Sequence, residues 1–230
     1  MMILFDTLEI LEHVMDFKIT NVKDEILVID NIVPLSFQNA IIDRLHGDTH
    51  FPWFLLHRVG APGYFPRGTT PNYVDKNITD DGGFFHMPYD GNVTSPYYDF
   101  FRAILEFFSE KTNINVSNLL RIRIRYTHPS KDHTAEKYAA PHVDFNKHTP
   151  YSTLIYYVDD SDGDTIIFDK VFNSSEEEYD PIIAKPIPEL MRFSPKKGVG
   201  IFFNGHRYHA GNFPINYSSR IVINFDFETL

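Results

Sequence analysis

The second half of the chain has the pattern of a series of short β-strands, and this limits the fold more than any other feature of the sequence. From residue 119 to residue 230, apolar and polar side chains alternate over short segments that turn residues separate. Many short strands at this spacing are typical of a β-sandwich or a rolled β-barrel. The candidate strands are 119–127, 137–144, 152–158, 164–168, 185–193, 199–204 and 220–227.

The first half predicts helices and one further strand. The segment 25–30 has strand character, and Ser36 is placed to cap a helix after it. Ser95 followed by Pro96 predicts the start of a second helix with a long apolar stripe. Apolar residues at roughly helical spacing within 1–18 predict a short amphipathic helix that packs on the body of the protein.

Residues 51–92 are rich in proline, glycine and aromatic side chains, and no periodicity persists along them. A stretch of this length predicts a functional loop or lid, and irregular packing over the edge of the core is the alternative. From composition alone we expect this region to form the wall of a substrate site. The candidate wall residues are Trp53, Arg67, Tyr73 and Phe85.

The size, charge and cysteine content of the chain exclude several classes of protein and of metal site. The chain has 230 residues, of which 43% are hydrophobic, which is enough for one well-buried domain. A net charge of −10 disfavours general binding to nucleic acid or to anionic membranes. The absence of cysteine excludes disulfides and thiolate metal sites. The acidic residues within 1–18 argue against a signal peptide or a membrane span, so we expect a cytoplasmic protein.

His142 and Asp144 form the clearest candidate metal-binding pair. Residues two apart in a strand point to the same face, so both side chains can hold one ion. A third ligand must come from elsewhere, and His209 can supply it from a strand end. Two histidines and one carboxylate form the facial set of non-haem Fe(II). The chemistry alone does not choose between His206 and His209.

Three further residues are candidates for the same interior. On the strand that Arg220 opens, Arg220 shares a face with Val222 and Asn224, so its guanidinium is expected near the metal with a carboxylate partner from the protein or from a ligand. By the same alternation, we expect Tyr126 and Tyr157 to point into the barrel.

These motifs together resemble the prolyl-4-hydroxylase-like branch of the Fe(II)- and 2-oxoglutarate-dependent dioxygenases. The resemblance covers roughly residues 119–227 and depends on the order of the motifs along the chain. The motifs are His142-Val143-Asp144, Ile155-Tyr156-Tyr157, the segments 194–198 and 200–204, His209-Ala210-Gly211 and Arg220-Ile221-Val222.

The resemblance implies a single domain with a double-stranded β-helix, or jelly-roll, core at 119–230 and supporting N-terminal helices packed on its outer face within 1–118. It implies that His142, Asp144 and His209 bind iron, that Arg220 binds the distal carboxylate of 2-oxoglutarate, and that Tyr126 and Tyr157 line the cosubstrate pocket. Asp162-Gly163-Asp164-Thr165 stands where relatives often carry Gly-Gly-Glu-Thr, so a turn entering a strand is the safer interpretation there.

The implied activity is hydroxylation of an unactivated C–H bond, coupled to conversion of 2-oxoglutarate and O2 to succinate and CO2, with ascorbate as an additional candidate cofactor. A prolyl residue of a protein or peptide is the first candidate substrate; free amino acids, other peptides, small metabolites and nucleobases remain open. The alternative is a non-catalytic, metal-bound jelly-roll that binds a sugar or peptide. A zinc hydrolase is a weaker alternative, because the sequence has no His-Glu-x-x-His segment.

Overall fold

The structure, a computed structural model, describes residues 17–56, 76–79, 82–129, 131, 133–145, 149–173 and 186–230. Its helices are α1 (Leu35–Ile42), which continues into a π-helical turn (Asp43–Gly47), and α2 (Tyr98–Thr112). Its strands are β1 (Ile19–Lys23), β2 (Ile26–Ile29), β3 (Phe54–Leu56), β4 (Ile78–Thr79), β5 (Gly83–Asp90), β6 (Val116–Thr127), β7 (Tyr138–Ala139), β8 (Ser152–Tyr157), β9 (Thr165–Val171), β10 (Glu189–Phe193), β11 (Gly200–Asn204), β12 (Arg207–Gly211) and β13 (Arg220–Thr229).

The strands form a jelly-roll of two antiparallel sheets. The large sheet has the order β1-β2-β11-β8-β13-β6-β5-β3, and the small sheet has the order β10-β9-β12. A bridge between His142 and His209 attaches the segment after β7 to the free edge of β12. A parallel pair of β4 and β7 lies beside these sheets. The predicted mostly-β jelly-roll is confirmed.

Strand β13 runs through the middle of the large sheet, and its two faces meet different surroundings. Ile223 and Phe225 are fully buried in a core cluster that also contains residues of α1 and α2. Arg220 and Asn224, on the opposite face, line a pocket that is also lined by residues of the small sheet. The alternation along β13 therefore separates an apolar layer beneath the helices from a polar space between the sheets.

The structure corrects the predicted helix starts. Helix α1 begins at Leu35, directly after Pro34, rather than after Ser36. Helix α2 begins at Tyr98 rather than at Pro96, and the turn before it is closed by the Ser95 hydroxyl, which accepts a hydrogen bond from the Tyr97 N–H (3.2 Å) and also contacts His86. The amphipathic helix predicted within 1–18 lies almost wholly outside the described residues.

The prediction of an irregular region at 51–92 is wrong for part of that stretch. Strands β3 and β5 pair with each other, and β5 also pairs with β6, so this segment extends the large sheet. Residues 57–75 and 80–81 lie outside the described part of the chain.

The strands of the second half also differ from the prediction in two places. The strand predicted at 137–144 is regular only over Tyr138–Ala139, and Pro141 follows it with no N–H to donate. Strand β12, which contains His209, was not predicted as a strand. None of the helices formed by the described residues is long and apolar enough to span a membrane.

The helix-facing side of β13 should provide much of the folding free energy. Phe225 is 0% exposed, so Phe225→Ala should lower the free energy of unfolding by about 3–5 kcal/mol through lost burial and the cavity left behind. Phe54→Ala is the size-matched control, because Phe54 is 54% exposed and its loss should cost about 1 kcal/mol or less. Urea denaturation measures both values, and equal losses would contradict this location of the core.

Candidate metal centre

The structure brings His142, Asp144 and His209 together at the bridge between β12 and the segment after β7. His142 and His209 exchange two backbone N–H···O hydrogen bonds of 3.0 Å each, which fixes the two histidines side by side. The candidate ligand atoms of the three residues lie within 4.8 Å of one another. A metal ion can therefore be reached by all three side chains at once.

Backbone carbonyls orient both imidazole rings. His142 Nδ1 lies 2.9 Å from the Ala140 carbonyl oxygen, and His209 Nδ1 lies 3.2 Å from the Arg207 carbonyl oxygen. A carbonyl only accepts, so each ring carries its proton on Nδ1 and donates it there. Each Nε2 lone pair is then available for a metal, which is the usual arrangement of a histidine ligand.

The local electrostatics keep His142 neutral. Burial is the main cause that lowers the pKa of His142 to about 3, and the neighbouring His209 acts in the same direction, against the attraction of Asp144. A neutral imidazole is the form that binds a metal.

Asp144 is held by a buried ionic network. Arg121 donates hydrogen bonds to Asp144 and, 3.1 Å away, to Asp226, which also accepts a hydrogen bond of 2.8 Å from Thr153. Burial would raise the pKa of Asp144, but Arg121 and His209 hold it well below its ordinary value. Burial and the charge of Asp144 raise the pKa of Asp226 to about 7. Asp144 is thus the ionised carboxylate of the pair.

Two buried atoms of this cluster fit a bound cation. His209 Nε2 and Asp144 Oδ2 lie 3.3 Å apart, but neither makes a hydrogen bond of regular geometry among the described residues. Buried polar atoms are normally satisfied, and a metal would satisfy both. The donor set of two imidazoles and one carboxylate matches the facial site of non-haem Fe(II).

Tyr151 ties the two ligand-bearing segments together, a role that sequence reasoning missed. Its hydroxyl donates to the Gly205 carbonyl (2.6 Å) and accepts from the Phe145 N–H (2.9 Å). A Cβ at Gly205 would lie 2.1 Å from the Tyr151 ring, so only glycine fits there. His206 packs edge-on against Tyr151 and is not part of the His–Asp–His cluster. A single sequence gives no signal that Tyr151 and Gly205 lie against each other.

Arg220 lies in the same space with its guanidinium anchored by neutral groups. Its Nε donates to the Gly163 carbonyl (2.6 Å), and Nη2 donates to the Thr165 hydroxyl (2.8 Å). It forms no ion pair with a carboxylate of the described residues. The Asp162–Thr165 segment is therefore more than a turn entering a strand, because Gly163 and Thr165 position Arg220. A Cβ at Gly163 would approach Arg220 Cδ to 2.7 Å.

A pocket that is partly open to solvent connects Arg220 to His142 and His209. Asn224 contributes a buried Oδ1 that has no hydrogen-bond partner in the described chain. The polar side chains that line the pocket include Arg125, His142, Thr165, His209, Arg220 and Asn224.

The two tyrosines predicted for this pocket fall on different sides of the large sheet. Tyr157 is buried in the cluster between the sheets, with Thr165 and Arg220 as electrostatic neighbours, and burial raises the pKa of its hydroxyl. The prediction that Tyr126 points inward is wrong, because its ring packs on Trp53 (5.6 Å) and on Phe84 (6.1 Å) in the layer beneath the helices.

The arginines of β6 take the place predicted for Tyr126. Arg121, Arg123 and Arg125 face the space between the sheets, and the isoleucines between them face the helices. Alternation shows which residues share a face but not which layer that face meets.

The residues predicted to form the wall of a substrate site do not lie together in the structure. Phe85 lies beneath the guanidinium of Arg123 at 5.6 Å, on the polar side of the large sheet. Trp53 packs in the helix-facing core, so it is not a wall residue of this pocket. Arg67 and Tyr73 lie outside the described residues.

No protein-family model matches the chain, and comparison with curated protein sequences finds no match. Solved structures do match. The non-haem α-ketoglutarate-dependent epimerase SnoN from nogalamycin biosynthesis aligns with a TM-score of 0.54 at 10% identity, over 89% of this chain and 78% of SnoN. The α-ketoglutarate-dependent carbocyclase SnoK from the same biosynthesis aligns with a TM-score of 0.53 at 10% identity, over 88% of this chain and 78% of SnoK.

A prolyl hydroxylase from Trichoplax adhaerens, solved with a peptide of hypoxia inducible factor, is also similar. It aligns with a TM-score of 0.52 at 11% identity, over 88% of this chain and 82% of that enzyme. These similarities extend over most of both chains, and they join an epimerase, a carbocyclase and a hydroxylase on one architecture. The chain has the jelly-roll fold of the 2-oxoglutarate-dependent non-haem iron enzymes.

Proposed function

We propose that this protein is an Fe(II)- and 2-oxoglutarate-dependent dioxygenase that hydroxylates an unactivated C–H bond. One observation carries the proposal: the His142–Asp144–His209 cluster shares a pocket with Arg220, a buried cation that makes no ion pair with a described carboxylate. A dicarboxylate with a metal-chelating 2-oxo acid end matches both features. The similar fold of known 2-oxoglutarate-dependent enzymes supports it.

The residues have separate roles in this proposal. His142, Asp144 and His209 hold Fe(II), and Arg220 pairs with the distal carboxylate of 2-oxoglutarate. Tyr157 lies buried behind the pocket, beside Arg220 and Thr165, and supports its distal end, whereas Tyr126 has no part in it. When bound, Fe(II), 2-oxoglutarate and O2 supply the oxidative chemistry that yields succinate, CO2 and the hydroxylated product. Ascorbate remains a candidate accessory reductant.

A prolyl residue of a protein or peptide is the first candidate substrate. The ordered motifs of the prolyl-4-hydroxylase-like branch and the fold similarity to the Trichoplax enzyme support this choice. Stimulation of succinate formation by a panel of prolyl peptides and small metabolites tests it. The accompanying product must gain one oxygen atom, and stimulation only by compounds without proline would reject the prolyl assignment.

A non-catalytic metal-bound jelly-roll is the alternative function. Such a module needs the His–Asp–His cluster but has no use for a carboxylate-binding arginine at the end of the same pocket. The arrangement of Arg220 on Gly163 and Thr165 therefore favours the enzyme. Formation of the weak visible charge-transfer band on anaerobic mixing with Fe(II) and 2-oxoglutarate separates the two functions.

The metal ligands give a direct test. His142→Ala, Asp144→Ala and His209→Ala should each weaken Fe(II) binding by at least tenfold and remove substrate-independent conversion of 2-oxoglutarate to succinate, because each deletes one of three protein ligands. His206→Ala is the matched control and should keep Fe(II) binding. Calorimetric titration under anaerobic conditions measures the affinities. Loss of binding in His206→Ala alone would show that the third ligand is misassigned.

Arg220 gives a second test that concerns the cosubstrate alone. Arg220→Met should weaken 2-oxoglutarate binding by about tenfold or more, because a buried charge-assisted pair is lost. Binding of 2-oxobutanoate, which lacks the distal carboxylate, should change less than twofold. The charge-transfer band measures both affinities. Equal weakening of the two acids would mean that Arg220 does not contact the distal carboxylate.

A further inference from the structure

Arg125 is a second buried cation in the cosubstrate pocket, and no sequence motif assigns it a role. It lies on β6, directly opposite Val222 of β13, and its side chain lines the pocket. Arg125 is 8% exposed, and its Nε makes no hydrogen bond. Within the described chain its guanidinium has no ion-pair partner.

The surroundings of Arg125 make this arrangement costly in the absence of a ligand. Burial and the adjacent Arg123 lower its pKa, and the nearby carboxylate of Asp144 is already paired with Arg121. An uncompensated charge removed from water is strongly unfavourable. A cation kept in a pocket at this cost is placed to receive an anion.

The other two arginines of β6 that face the space between the sheets have partners within the protein. Arg121 is neutralised by Asp144 and Asp226. Arg123 rests on the ring of Phe85, has Asp90 as an electrostatic neighbour, and does not line the pocket. The pocket is therefore lined by two guanidinium groups without a described protein anion, Arg125 and Arg220. A dicarboxylate supplies two negative charges.

The strand register places these two cations at different depths. Arg220 lies opposite Thr127 of β6. Arg125 lies one pleat, or two residues, before Thr127 on that strand. Arg121, which holds Asp144, lies two pleats before Arg125. One pleat spans about 6.6 Å. Arg125 thus lies between the distal-carboxylate end of the pocket and the metal ligands, and it lines the same pocket as His142 and His209.

We propose that Arg125 is a binding residue for the 2-oxo acid and pairs with the carboxylate at its metal-proximal end, while Arg220 pairs with the distal carboxylate. The assignment rests on the proposed function. It makes the pocket selective for 2-oxo dicarboxylates held at both ends. Monocarboxylic 2-oxo acids keep the contact with Arg125 and lose the contact with Arg220.

The test compares two ligands in four proteins, and Arg125→Lys is added as a fifth that keeps the positive charge. 2-Oxoglutarate and 2-oxobutanoate share the 2-oxo acid end and differ in the distal carboxylate. Each is titrated anaerobically, at saturating Fe(II), into the wild type and into Arg125→Met, Arg220→Met and Arg123→Met, and the charge-transfer band is recorded. Arg123→Met is the matched control, because Arg123 is a buried arginine on the same face of the same strand.

Arg125→Met should weaken both ligands by the same factor of about tenfold or more, because both ligands carry the proximal carboxylate. Arg123→Met should change neither affinity by more than twofold. Arg125→Lys should recover part of the affinity, since it keeps the charge but not the two-pronged geometry. Thermal melting without ligand should show Arg125→Met to be at least as stable as the wild type, because an unpaired buried charge has been removed.

Three results would overturn the proposal. Unchanged affinities in Arg125→Met would exclude the contact, and weakening of 2-oxoglutarate alone would place Arg125 at the distal end. Loss of Fe(II) binding by Arg125→Met in the absence of any 2-oxo acid would reveal a structural role. A wild type without a charge-transfer band would reject the proposed function and this assignment together, whereas a normal wild-type band with unchanged Arg125→Met rejects the assignment alone.

Discussion

The need to neutralise buried charge governs the space between the two sheets. Arg121 bridges Asp144 and Asp226, and Thr153 completes the hydrogen bonds of Asp226. Without Arg121, burial would raise the pKa of Asp144 as well as that of Asp226, and Asp144 would lose the negative charge that a metal ligand needs. Arg121 keeps Asp144 ionised and directed towards His209, so the geometry of the candidate metal site depends on a salt bridge from a residue outside the proposed ligand set.

The fold tolerates this polar interior because its main apolar core lies elsewhere. The largest cluster of buried side chains lies between the helices and the large sheet, and it includes Phe101, Phe108 and Phe225. Hydrophobic burial there stabilises the fold, which leaves the opposite face of the same strands free to carry arginines, histidines and carboxylates. A single sheet thus separates the apolar layer that stabilises the protein from the polar space that contains the candidate site.

The candidate site is held by backbone as much as by side chains. The reciprocal hydrogen bonds of His142 and His209, and the hydroxyl of Tyr151 between Phe145 and Gly205, join chain segments that are far apart in sequence. Such restraints hold the three candidate ligands in position before any metal binds.

From the sequence alone, alternation predicts the two faces of β13. The resemblance carried by the order of the motifs implies the jelly-roll fold, which is confirmed, and the His–Asp–His set with Arg220, which stay predictions that the geometry supports. The contacts between distant segments show in addition that β6 turns Arg125 rather than Tyr126 towards the pocket, and that Gly163, Thr165 and Tyr151 hold residues of the candidate site. Periodicity relates residues within one strand, whereas these features depend on which layer each face meets and on contacts between distant segments.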